Sequence, residues 1–224
     1  MEKSIIQRLI DAGVCTHQDI EQYMDDYNNQ KSTGLIASQI ERPKTEYSII
    51  ENGVLVKFDE RDLDEYGNYT TPDSVKKIKK YAFSKANAEK ITLGEKVKCI
   101  EDHALWDCNA KKIVVKGNVK RIGEYAFHLC LYLEEIELPD SLEEISKGML
   151  DNSIKLREVK LPKNLKYIRS YAFARCTSLT SISDLPAGLQ QVGIYVCVHA
   201  PVKDKFDDMV RNHHCTAERL PTMW

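Results

Sequence analysis

The chain has 224 residues, of which 42% are hydrophobic, 29% charged and 8% aromatic, with ten Gly and seven Pro. That balance excludes a disordered or collagen-like chain, and the length allows one large domain or two small ones. The formal net charge of −2 argues against a surface wholly given over to polyanions, although residues 1–71 carry a net −7 and residues 72–200 a net +5.

The N-terminal segment MEKSIIQRLIDAGVC has Arg8 and Asp11 inside its apolar pattern, so it lacks the uninterrupted core of a signal peptide. No apolar run reaches the roughly 18 residues that span a bilayer. The expectation is a cytoplasmic protein with no membrane contact. Seven cysteines cannot all pair within one chain, and reduced thiols suit that compartment.

Residues 1–46 read as a helical hairpin and a linker. Ile5, Ile6, Leu9 and Ile10 recur at helical spacing, and Gly13 ends the pattern. Thr16 and Asp19 form an N-terminal capping pair, and Ile20, Tyr23 and Met24 carry a second helix to about Tyr27. Two roles suit this head: a lid packed on the start of the main domain, or a hairpin for self-association or partner binding. Residues 28–46 are a polar linker. Residues 47–71 hold a hairpin, with Asn52-Gly53 as its turn, and then the acidic run from Asp59 to Glu65. That run reads as a solvated loop or a patch for a basic partner. Alternate carboxylates can bind calcium, but the Gly-containing loop of a calcium hand is absent.

Residues 72–200 are controlled by an internal repeat. PDSVKKIKKYAF, GNVKRIGEYAF and KNLKYIRSYAF share one pattern, and the copies start at Val75, Val97, Val119, Leu142, Leu165 and Leu189, 22 to 24 residues apart. Three residues after each start stand Ile78, Ile100, Ile122, Ile145, Ile168 and Val192. An Ala column (Ala82, Ala104, Ala126, Ala172) and a Phe column (Phe83, Phe127, Phe173) come next. The alternation in Ile136-Glu137-Leu138 sends side chains to opposite faces of a strand. One such strand cannot bury its apolar face alone, whereas stacked copies build a continuous core. The fourth copy departs, with Gly148, Met149 and Leu150 in place of Tyr-Ala-Phe.

These residues carry a resemblance. VKRIGEYAFHLCLYLEEIELP, from Val119 to Pro139, resembles the BspA-type leucine-rich repeat almost position for position, and Leu165–Pro186 does so with one inserted residue. The resemblance implies an α/β solenoid: a right-handed leucine-rich-repeat coil with parallel strands, preceded by a small helical N-terminal segment. It also implies that Tyr47–Phe58 is the strand pair opening the array. Within the 201–224 C-terminal cap, Val202, Phe206, Met209 and Val210 would then form an apolar helical stripe closing the last coil.

Several columns are candidate sites. Cys108, Cys130 and Cys176 align, so stacking could bring the first two within disulfide range; the alternative is small buried filler, and the family pattern contains this Cys. Cys197, His199, His213, His214 and Cys215 have a zinc-like spacing, but Cys197 falls in the core Phe column, and no metal or other cofactor is expected. The surface column after each start reads Lys76-Lys77, Lys98-Cys99, Lys120-Arg121, Glu143-Glu144, Lys166-Tyr167 and Gln190-Gln191, with Tyr81, Tyr125, Tyr171 and Tyr195 close behind. Regularly spaced Lys and Tyr suit an acidic protein or a nucleic-acid backbone, or simply solubilise the surface. Glu143-Glu144 interrupts the stripe. The candidate partner-binding set is Lys76, Lys77, Tyr81, Lys98, Lys120, Arg121, Tyr125, Lys166 and Tyr171. The other strand face, with Lys111-Lys112 beside Glu134-Glu135, is of mixed sign, which suits a specific protein partner.

No phosphate loop, HExxH or nucleophile elbow is present. The expectation is therefore a non-enzymatic scaffold or inhibitor that binds a protein partner. The resemblance adds a bacterial surface or host-interaction adhesin as an alternative, and the Lys/Tyr face adds a binder of nucleic acid or a ribonucleoprotein. The oligomeric state is left open.

Overall fold

The computed structural model of the chain divides into two compact units, Met1–Glu41 and Arg42–Trp224. The described residues are 47–213 and 215–217, all in the second unit. The helical hairpin and linker expected over 1–46 lie outside them, as does His214.

The described chain is a coil with three walls. β1 (Ile49–Glu51) runs antiparallel to β2 (Val54–Lys57) through Asn52-Gly53, both at positive φ. After a single 3-10 turn at Glu60–Asp62, β3 (Asn68–Thr70) starts the second wall. The first wall continues from β2 through one short parallel strand per winding: β4 (Lys77–Ile78), β6 (Cys99–Ile100), β9 (Glu144–Ile145), β11 (Tyr167–Ile168) and β13 (Gln191–Val192). Winding 3 joins it by single bridges, Ile100 to Ile122 and Arg121 to Glu144. The second wall takes β5 (Lys90–Leu93), β7 (Lys112–Val115) and β8 (Glu135–Glu137) after β3, and further on β10 (Glu158–Val159) paired with β12 (Ser181–Ile182). The Ile column is thus one line: Ile78 pairs with Ile100, Ile100 with Ile122, and Ile145 with Ile168.

The third wall explains Tyr-Ala-Phe. Each winding places two residues in the left-handed region four positions apart: Tyr81 and Lys85, His103 and Asp107, Tyr125 and Leu129, Gly148 and Asn152, Tyr171 and Arg175, Tyr195 and His199. Backbone N–H groups then alternate in direction. Those of Tyr81, Phe83 and Lys85 donate to carbonyls of the next winding, at His103, Ala104 and Asp107; those of Ala82, Ser84 and Ala86 close tight turns on Lys79, Tyr81 and Phe83. Left-handed residues cannot propagate a helix, and the alternation satisfies every one of these donors. The return segments are therefore turns, which corrects the α/β expectation: the coil is a β-solenoid of about six windings. Its one α-helix among the described residues is α1 (Lys203–Asn212), at the C-terminal end. The departure in the fourth copy has a cause here too. Gly148 occupies a left-handed slot, and a Cβ there would meet the ring of Tyr125.

The core fills the space between the walls. Phe83, Phe127 and Phe173 are completely buried, as are Leu105 and Leu150 in the same column and Ala104, Ala126 and Ala172 beside them. Both ends are covered. Phe58 and Tyr69 pack on Phe83 at ring separations of 5.1 and 5.8 Å. At the other end, Val202 and Phe206 are buried, with Met209 and Val210 packed against the same core. The chain then adds one more rung, β14 (Thr216–Ala217), parallel to β13. The acidic run is largely structural. Asp62 accepts the N–H groups of Tyr47 and Ser48, Glu60 accepts that of Asn87, and Asp64 accepts those of Tyr66 and Asn68. Hydrogen bonds from Arg61 hold the Asp59 carboxyl down at about 2.

Candidate protein interface

The solvent side of the first wall carries the charged candidates, and the corner beyond it carries the tyrosines. Outward and inward residues alternate on each two-residue strand, so Lys77, Cys99, Arg121, Glu144, Tyr167 and Gln191 form one outer row while the Ile column faces in. Parallel stacking sets like positions of successive windings roughly 4.8 Å apart, within reach of long charged side chains.

That spacing turns the supposed interruption into the hub of the row. Glu143 is bonded on one side by Lys120 at 3.2 Å and on the other by Lys166 at 2.8 Å. Glu144 is bonded by Arg121 at 3.1 Å and by Arg169 at 2.7 Å, with its side chain only 13% exposed. Arg169 also donates to Gln191 and lies over the Tyr167 ring. Bonds from Lys166 and Lys120 lower the Glu143 carboxyl, and Glu143 in turn raises Lys166. An open cleft of about 580 Å³ lies over this centre, lined by Arg121, Glu144, Lys147, Arg169 and Tyr171 among others.

The N-terminal part of the wall differs. Lys77 is bonded to Glu101, whose carboxyl burial would raise; the Lys77 bond and the Lys80 N–H outweigh burial and lower it. Lys76 and Lys98 are exposed and have no ion-pair partner among the described residues.

The tyrosines are not an open stacking platform. Tyr81 packs on His103 at 5.6 Å, His103 stacks on Tyr125 at 5.5 Å, and Tyr171 stacks on Tyr195 at 5.4 Å. Gly148 leaves the one gap in this aromatic column, and Tyr125 leans over it. The structure thus gathers Lys120, Arg121 and Lys166 around Glu143-Glu144, while Tyr81, Tyr125 and Tyr171 spend ring faces on their neighbours. Sequence reasoning missed the bridging role of the two glutamates and of Arg169. The available signal was opposite charge in one column, one repeat apart.

The cysteine column is structural. The six described cysteines are free. Cys130 and Cys176 donate to the carbonyls of Leu105 and Leu150, both at 3.2 Å, and Cys108 donates to that of Ala86 at 3.6 Å. Burial pushes the Cys108 thiol up to about 12 and raises Cys130 and Cys176 as well, so these are buried fillers with a weak donor. Cys197 is buried, and His213 Nε2 lies 3.1 Å from the Pro186 carbonyl oxygen. No group of three or more His, Cys, Asp or Glu among the described residues is placed to hold a metal ion. Nor is any described helix long and apolar enough to cross a membrane.

The fold and this face define a repeat protein with an extended, preformed charged surface. The profile of the BspA type leucine rich repeat region matches residues 62–180 and 105–200, in six copies, and the chain belongs to that family. Among solved structures, the T. pallidum leucine-rich repeat protein TpLRR is 22% identical with a TM-score of 0.61, over 80% of this chain and 98% of that one. A leucine-rich repeat protein from Eubacterium ventriosum is 18% identical with a TM-score of 0.53, over 77% of this chain and 49% of that one. One from Bacteroides ovatus is 27% identical with a TM-score of 0.49; 66% of this chain aligns with it and spans 44% of its length. No curated protein matches the chain.

Proposed function

We propose that this chain is a non-enzymatic protein-interaction module whose first wall is the recognition surface. The observation that carries the reading is the ladder centred on Glu143 and Glu144: four cations and two carboxylates held in fixed register on a rigid wall. A surface of interleaved sign selects a partner of complementary pattern, and a preformed solenoid binds with little loss of conformational freedom. A nucleic-acid backbone would meet those carboxylates, and its bases would find the aromatic faces occupied by neighbouring rings.

The test immobilises the full chain and identifies proteins retained from its native host. Lys120→Ala, Arg121→Ala, Lys166→Ala and Arg169→Ala combined should lower partner recovery at least about fivefold with an unchanged circular dichroism spectrum. Unchanged recovery would remove the first wall as the site. Recovery abolished by nuclease treatment would replace the protein partner with nucleic acid.

A further inference from the structure

We propose that the N-terminal end of the first wall docks a short Asp/Glu-rich segment of a protein partner; this rests on the protein-binding reading and names the partner's chemistry. The opening hairpin and the first winding carry Lys57, Lys76, Lys77, Lys79 and Lys80, and winding 2 adds Lys98, against two carboxylates: Glu51, in register with Lys77 through Val54, and Glu101, bonded to Lys77. Lys57, Lys76, Lys79 and Lys98 have no ion-pair partner among the described residues, whereas Lys120, Arg121, Lys166 and Arg169 in windings 3 and 5 are all paired. Every one of those four central cations is thus held by a carboxylate, and four lysines at this end are not.

The size and chemistry of the patch select its occupant. β2, β4 and β6 are adjacent rungs and span about 10 Å across. An extended segment at roughly 3.3 Å per residue crosses that distance with three or four residues. Glu101 and Asp102 lie on the next corner, with Glu101 reaching back to Lys77, and Asp73 and Glu95 sit with Lys96 on the flanking turns, so a long polyanion running down the wall meets repulsion where a short cluster does not. The cations on these rungs are all lysines. Their flexible point charges accept carboxylates in varied arrangements and lack the planar fork that grips phosphate in two places. Tyr81 offers bases no open face, since Lys80 Nζ lies 4.9 Å from its ring and His103 packs beside it.

The experiment is fluorescence anisotropy of the full chain with a labelled peptide of about ten glutamates, at about 50 mM and about 200 mM salt. Lys57→Glu, Lys76→Glu, Lys79→Glu and Lys98→Glu together should weaken binding at least about tenfold. Reversing four lysines or arginines elsewhere (Lys116→Glu, Arg157→Glu, Lys160→Glu, Lys205→Glu) should change it less than about twofold. Equal weakening by both sets, or no binding to the native chain, would overturn the proposal. So would tighter binding of oligothymidylate of equal charge, or of phosphatidylserine vesicles. Partner recovery with the Lys120, Arg121, Lys166 and Arg169 variant decides the scaffold reading separately, because its substitutions leave these lysines intact.

Discussion

Two stretches of one wall, built from the same repeat, hold their cations differently. In windings 3 to 5, Lys120, Arg121, Lys166 and Arg169 are all drawn onto Glu143 and Glu144. From β2 to winding 2, Lys77 bonds Glu101, whereas Lys57, Lys76, Lys79 and Lys98 have no ion-pair partner among the described residues. Charge counted along a column says little about charge presented to solvent. What matters is whether the next winding offers the opposite sign about 4.8 Å away.

One continuous core runs beneath both stretches. Phe127→Ala, in the central stretch, should cost about 3–5 kcal/mol in urea unfolding, and Phe83→Ala beneath the lysine-rich end should cost a similar amount. A small loss for Phe83 alone would mean that the cationic end rests on a loosely packed coil.

Next comes pH. The central windings also hold a charge inside: Asp151 is buried against Arg175 at 3.2 Å and His128 at 3.5 Å. Burial, only partly opposed by Arg175, raises its carboxyl from 3.8 to about 6. Between those values the folded chain holds a proton that the unfolded chain has released, so stability falls as pH rises through the window. Relative to Asp151→Asn, the native chain should lose about 2–3 kcal/mol between about pH 4 and pH 7. Glu101 and Glu143 act in the opposite sense. Their folded values lie below 4.5, so their contribution is present above that pH and fades in more acid solution.

Gly148→Tyr would restore the repeat pattern but push a Cβ into the Tyr125 ring, for an expected loss of about 1–3 kcal/mol. Adding Tyr125→Ala should recover most of it in thermal melts. A double-mutant cycle between Glu144 and Arg169 should give a coupling of about 0.5–1 kcal/mol. The Lys77–Glu101 cycle should give less, because both of its side chains are more exposed.

Register and core were readable because the repeat prints a β-branched inward residue six times: Ile in five copies and Val192 in the sixth, 22 to 24 residues apart, admit one stacking. The α/β label failed because the third wall alternates tight turns with bonds to the next winding, and Tyr-Ala-Phe carries no mark of a left-handed residue until a Gly stands in the slot. The role of Glu143-Glu144 was hidden because its partners lie one repeat away on either side. The acidic run misled for the same reason. Asp62 caps Tyr47 and Ser48, fifteen and fourteen residues back, and composition alone cannot show a target so distant.

The cysteines have a practical consequence. Burial leaves Cys108, Cys130, Cys176 and Cys197 almost without thiolate at neutral pH, while Cys99 is exposed in the outer row, in register with Lys77. A maleimide dye should therefore attach there in preference to the other described cysteines. It would stand on the edge of the lysine cluster, as a built-in reporter of whatever settles on it.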